Sequence, residues 1–194
     1  YEQGNLLVVE GTADLQKDYS AVKEQLLNLR VATSVTRSQS PVTDIYSNNF
    51  LDWPGKPTDN KVLFNTLRVD YDYVKTIGAR MLLGREFSQD FKSDSAAIIV
   101  NKTALDIMQL EDPIGTKLKV WDRSFELIGV VDNLLIGSLF SDVQPMFMVL
   151  HADASNFITI RLAPTDDLQE AINQVQTVVE KHNPAYPFDY TFAD

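Results

Sequence analysis

The chain has 194 residues, 44% hydrophobic and 23% charged, which is enough to bury a real core without staples. It has no cysteine, so disulfides and thiolate metal sites are excluded. A formal net charge of −10 repels phosphate backbones and anionic headgroups, which argues against nucleic acid and charged lipid as partners.

Leu6-Leu7-Val8-Val9 reads as a buried strand. Asp14 is placed to cap a helix over 15–29, with Leu15, Tyr19, Val22, Leu26 and Leu29 at helical spacing. Val31 to Ser38 is rich in β-branched residues and alternates, predicting a second strand and a β-α-β opening. Gln39-Ser40-Pro41 breaks that pattern, and the region to Asn60 is irregular, with a turn at Trp53-Pro54-Gly55-Lys56. Val62 to Val69 predicts a strand, 71–77 a short helix stopped by Gly78, and 80–83 a short strand turned by Gly84-Arg85.

Ala96 to Val100 is a continuous apolar run, as in a buried strand, and Asn101 is placed to cap a helix over 102–108. Residues 117–121 and 125–131 flank Asp122-Arg123-Ser124 as a hairpin. A weakly structured loop is expected over 132–145, then strands at 146–150 and 157–162. Asp166 with Gln169 forms a capping-box pattern ahead of a helix over 167–182, whose stripe is Leu168, Ile172, Val175 and Val179. Phe188, Tyr190 and Phe192 alternate as in a half-buried last strand. The expected fold class is α+β and two-lobed. Residues 1–41 and 146–194 supply one lobe from both chain ends, and 42–145 form a mostly β lobe inserted into it.

The search for chemistry yields little. Phosphate-binding glycine loops and the Gly-x-Ser-x-Gly nucleophile turn are absent. The two histidines, His151 and His182, support a hydrolase only if one lies within about 3 Å of a serine or carboxylate. Asp70-x-Asp72 resembles the start of a calcium loop, but Lys75 stands where the turn glycine belongs. Glu111-Asp112 and Asp166-Asp167 read as turn and cap carboxylates. No metal, cofactor or catalytic residue is therefore assigned. Tyr46, Phe50 and Trp53 sit among polar and turn residues. They read either as a satellite core beneath a loop or as a partly exposed patch for a partner or apolar ligand.

One resemblance goes further than these residues do. The series Val69-Asp70-x-x-Tyr73, Gly78, Leu83-Gly84-Arg85-x-Phe87-Ser88, Ala97-Ile98-Ile99-Val100-Asn101, Asp112-Pro113-Ile114-Gly115 and Ile128-Gly129-Val130-Val131 resembles the MacB-type periplasmic core domain. That family is the extracytoplasmic domain of ABC-transporter permeases with FtsX-like membrane helices. After Val131 its members commonly continue with a Lys- or Asp-rich turn into an aromatic residue, where this chain has Asp132-Asn133-Leu134-Leu135. The resemblance implies a non-enzymatic domain with no cofactor, at the periplasmic face of the inner membrane. It would lie between the first two membrane helices of a permease, and the start at Tyr1 fits a piece of a longer chain. Expected partners are those membrane helices, a cytoplasmic ATPase, a periplasmic adaptor or lipoprotein, and a second copy in a homodimeric transporter. The implied role is to transmit ATP-driven motion and to dock substrate or partner proteins. The alternative is a free-standing module that binds a peptide, sugar or lipid through Tyr46, Phe50 and Trp53.

Overall fold

A computed structural model describes residues 5–134, 143–151, 153 and 155–193. Its class is α+β, as expected. In chain order the elements are β1 (Leu6–Glu10), α1 (Ala13–Lys17), α2 (Tyr19–Asn28), β2 (Ala32–Ser38), β3 (Asn48–Phe50), β4 (Leu63–Val69), α3 (Tyr73–Ile77) and β5 (Met81–Gly84). They continue as β6 (Ala97–Asn101), α4 (Lys102–Met108), β7 (Lys117–Val120), β8 (Arg123–Val131), β9 (Met146–Leu150), β10 (Phe157–Leu162), α5 (Leu168–His182) and β11 (Thr191–Phe192). One mixed sheet holds all eleven strands in the order β11-β1-β10-β2-β4-β9-β6-β8-β5, with β3 beside β4 and β7 beside β8.

The sheet has two halves that meet at β2 and β4. The end half is β11, β1, β10 and β2, and the middle half is the rest. They share a single ladder pair, Ser38 with Val69. Sequence grouped Met146–Leu150 with the chain ends, yet β9 lies between β4 and β6 in the middle half. An apolar run declares a strand, but it does not name the neighbours the strand will pair with.

Alternation sorts the side chains onto two faces. Leu6 and Val8 of β1, Leu67 and Val69 of β4, Ala97 and Ile99 of β6, and Met146 and Met148 of β9 join one cluster with Tyr73 and Ile77 of α3. That cluster runs across both halves. The intervening residues point the other way and form two clusters. Leu7, Val9, Val35, Ile158 and Ile160 pack beneath α2 and α5. Phe64, Ile98, Val100, Leu127, Phe147 and Val149 pack with α4 and β7.

Several local expectations shift. The first helix divides at Asp18, and its cap is Thr12, whose hydroxyl accepts from Leu15 N at 3.3 Å. The last helix is capped by Asp167, which accepts from Glu170 N at 2.9 Å, where Asp166 was expected. The hairpin turn is Trp121-Asp122, with φ of 52° and 57°. Both central residues must adopt positive φ there, a conformation that Asn and Gly advertise and Trp does not. Strand β3, Asn-Asn-Phe, gave no signal in the sequence. Only Thr191–Phe192 of the last segment pairs as a strand, while Phe188 and Tyr190 stack at 5.3 Å between centroids. Of the expected loop 132–145, residues 135–142 lie outside the described residues.

Two motif glycines have a direct physical reason. Gly84 (φ 67°) and Gly129 face each other in the β5–β8 ladder. A Cβ at Gly84 would strike the Ile128 carbonyl, and one at Gly129 the Arg85 carbonyl. The close backbone approach leaves no room for a side chain.

Candidate functional site: the joint between the halves

The residues singled out by sequence do not converge. Trp53 is buried, edge-on to Phe64 at 5.8 Å, with Lys56 Nζ 5.1 Å from its ring centroid. Tyr46 is 61% exposed and touches the edge of Phe157, and Phe50 is 55% exposed opposite Leu63. His151 is exposed. His182 Nδ1 lies 2.9 Å from Asp18 Oδ2, which meets the distance asked of a hydrolase, but its Nε2 faces the Gln25 amide at 3.1 Å. A histidine held by a carboxylate and an amide ties α5 to α1 and α2. Both ring nitrogens are engaged, one by Asp18 and the other by Gln25. Asp70 pairs with Arg37 and Asp72 with Lys23. Among the described residues no group of three or more His, Asp or Glu could hold a metal ion.

The arrangement that does converge is the segment Asp70 to Thr76, between β4 and the end of α3. It runs along the edge of β2 that β4 leaves uncovered. Asp70 N donates to Arg37 O at 2.9 Å, and Thr36 Oγ1 donates to Tyr71 O at 2.8 Å. Ser34 and Thr76 hydroxyls meet at 2.6 Å, and Arg161 Nε donates to Thr76 O at 2.6 Å. An open strand edge is a liability, and this strap covers it.

Charges close the strap on its other side. Arg37 Nε donates to Asp70 Oδ2 at 2.9 Å with Nη2 2.8 Å from the same oxygen, and Nη1 donates to Gln16 Oε1 at 3.0 Å. The guanidinium lies 3.9 Å from the Tyr19 ring centroid, a cation–π contact in a buried setting. Lys23 of α2 reaches Asp72 at 2.7 Å. Asp72 itself adopts φ 64°, a left-handed conformation that Asp tolerates better than most residues. Glu86 then accepts from Val74 N and Lys75 N at 2.6 and 3.2 Å, satisfying the first amides of α3.

The electrostatics follow from burial. The Tyr19 phenol is held far above its ordinary range, first by burial and then by the Asp70 carboxylate, with Arg37 opposing. Tyr71 is raised by burial and by Asp70. Glu86 is raised by burial, against the two amides that favour its charged form. A cleft of about 520 Å³ lies over this joint, between α2 and the strap, walled by Tyr19, Lys23, Leu27, Arg37, Asp70 and Gln89. Of its charged walls, Lys23 pairs with Asp72 and Arg37 with Asp70.

Sequence reading named Asp70 and Tyr73 within a motif but missed Gln16, Lys23, Arg37 and Glu86. Arg37 alone carried a usable signal. A charged residue at a core-facing position of a strand needs a buried partner.

Among the described residues no helix is long and apolar enough to cross a membrane. The model of the MacB-like periplasmic core domain family matches residues 1–178. No curated protein matches the sequence. Solved structures share the fold at low identity. The periplasmic region of MacB from Actinobacillus actinomycetemcomitans is 15% identical, with a TM-score of 0.66 over 96% of this chain and 87% of the other. The extracellular domain of the ABC-type transporter YknZ from Gram-positive bacteria is 13% identical, with a TM-score of 0.60 over 97% and 99%. A domain of a putative permease protein from Porphyromonas gingivalis is 14% identical, with a TM-score of 0.63 over 100% and 94%.

Proposed function

From a chain that belongs to the MacB-like periplasmic core domain family, we infer a domain that relays ATP-driven motion of a permease to partners outside the membrane. The family places it among the periplasmic or extracellular domains of ABC-type transporter permeases. The relay, the docking of substrate or partner proteins and the homodimeric assembly are our reading.

The observation that carries it is where the chain comes in and goes out. Strands β1 and β11 are antiparallel neighbours, with Leu7 opposite Phe192, and Ala193 N donates to Leu6 O at 3.0 Å. A domain spliced between two successive membrane helices needs its two ends side by side. Movement of those helices would then act on one corner of the sheet and pass along it to the middle half through the apolar cluster the two halves share. We assign partner contact to the exposed Tyr46 and Phe50 in the middle half, with Trp53 anchoring their segment from beneath. The lobes would be residues 1–41 and 146–194 against 42–145, except that β9 packs with the second set. No cofactor enters this reading.

The test uses the intact permease with its ATPase in proteoliposomes. Spin labels on Phe50→Cys in the two copies should change separation when ATP is bound and hydrolysed. An unchanged separation under active turnover would sink the relay.

A further inference from the structure

We propose that the joint is a one-sided hinge. The face carrying Leu67, Tyr73 and Ile77 is its backing, and the opposite face opens when the Arg37–Asp70 and Lys23–Asp72 pairs let go.

The argument starts from how the two faces differ at the β2–β4 seam. On one face a single apolar cluster includes residues of both halves, from Leu6 and Val8 to Ile99 and Met148, packed over the buried hydroxyls of Ser34, Thr36 and Ser38. On the other, the clusters of the two halves are separate, and the side chains between them are polar. Arg37 meets Asp70 and Gln16, and Arg68 Nη1 donates to Gln39 Oε1 at 3.0 Å. Asn156 Nδ2 donates to Gln39 O at 3.0 Å. The backbone adds one ladder pair, flanked by Gln39 N to Arg68 O and Asp70 N to Arg37 O, both 2.9 Å.

A packed apolar face resists separation because opening it exposes hydrocarbon. A polar band does not, since water replaces its hydrogen bonds at little net cost. Rotation about the shared cluster therefore meets less resistance than a movement that pulls that cluster apart. The cleft of about 520 Å³ already lies on the polar side, with α2 on one wall and Asp70, Tyr71 and Gln89 on the other. Two ion pairs span that cleft. Lys23–Asp72 is partly exposed, with side-chain exposures of 21% and 43%, so salt screens it. Arg37–Asp70 is the inner pair, at 13% and 8%. Opening also breaks the Thr36–Tyr71 bond, which lies between the two ion pairs, while the Ser34 and Arg161 bonds to Thr76 stay with the backing as the pivot.

The absence of cysteine makes the test clean. Spin labels on the exposed positions Asn28→Cys and Asp90→Cys measure across the cleft. Pairs Asn28→Cys with Thr177→Cys, and Asp90→Cys with Asp106→Cys, measure within each half. The outer pair is removed by Lys23→Met with Asp72→Asn, and the inner pair by Arg37→Met with Asp70→Asn. Expected is a cross-cleft distribution roughly twofold wider in either variant, and wider in about 1 M than in about 0.1 M salt, with the within-half distances unchanged. A cross-cleft distribution that stays narrow throughout would overturn the hinge in favour of one rigid body. Equal widening of the within-half pairs would overturn it in favour of general loosening. If the inner-pair variant does not fold, the outer pair and the salt series decide alone.

Discussion

The two faces of the sheet at the β2–β4 seam are held differently: both carry hydrogen bonds, and one also carries an apolar cluster shared by the two halves. On one, Tyr73, Ile77 and Leu67 weld strands that are far apart in sequence into a shared apolar cluster. On the other, Arg37, Gln39, Arg68 and Asp70 meet one another across a band that belongs to neither core. The lesson is that a continuous sheet need not be a uniform one. Hydrogen-bonded pairing carries the chain across the seam at a single pair, and side-chain chemistry decides which face is stiff.

Ile77→Ala strikes the welded face and should have the largest effect. Ile77 is fully buried in the shared cluster, and truncation of such a side chain costs about 4 kcal/mol. Because the cluster spans both halves, chemical denaturation should still show one transition, shifted to lower denaturant with both halves reporting it. Two separated transitions would mean that the weld is weaker than its burial implies.

Asp70→Ala strikes the polar face from within. It strands the Arg37 guanidinium beside the Tyr19 ring with one carboxylate gone, a loss of about 3 kcal/mol. Removing both partners, as Arg37→Met with Asp70→Asn, should cost less than the single change, because no buried charge is left unpaired. A double variant less stable than Asp70→Ala would show that the pair is a net stabiliser and that the two faces differ less than described. Lys23→Met removes the outer pair, and at its exposure a loss of about 0.5 kcal/mol is expected, fading in high salt.

How much of this was legible in the chain follows from the range of each interaction. Asn101 as a cap was readable, since its Oδ1 accepts from Ala104 N three residues on, at 3.0 Å. So was the stripe of α5, whose Ile172, Val175 and Val179 are buried. These are local, and spacing encodes them. The joint was not readable because its partners lie far apart. Arg37 finds Asp70 33 residues away, and Lys23 finds Asp72 49 away. Nothing in local composition records such a meeting. Family resemblance marked Val69-Asp70-x-x-Tyr73 as a unit, and the structure supplies its reason: Val69 ends β4, Asp70 takes Arg37, and Tyr73 enters the shared cluster. The aromatic trio was ambiguous for a related reason. Trp53 went inward against Phe64 of β4, whereas Tyr46, at the edge of Phe157, and Phe50, opposite Leu63, stay more than half exposed.

Glu86 offers the smallest effect and a sign that distinguishes the strap from an ordinary surface loop. Burial raises its folded pKa above the ordinary 4.5, so the fold favours the protonated form. Its contribution to stability is then fully present below about pH 4.5 and is lost as pH rises through the folded value. Asp94 runs the other way. Burial pushes its carboxyl up, but the two Arg85 bonds at 2.8 Å and Ser88 N bring it below the ordinary 3.8. Its contribution is present above pH 3.8 and disappears as pH falls through the folded value. The stability difference between the wild type and Glu86→Gln should therefore shrink as pH rises above about 4.5, while the difference between the wild type and Asp94→Asn should shrink only on acidification below about 3.8. Thermal melts of the three proteins across pH 3 to 8 (roughly, the span of both windows) read both slopes. A flat Glu86→Gln difference would place that carboxylate in water and remove it from the first turn of α3. The strap would then rest on the Arg37 and Lys23 pairs alone.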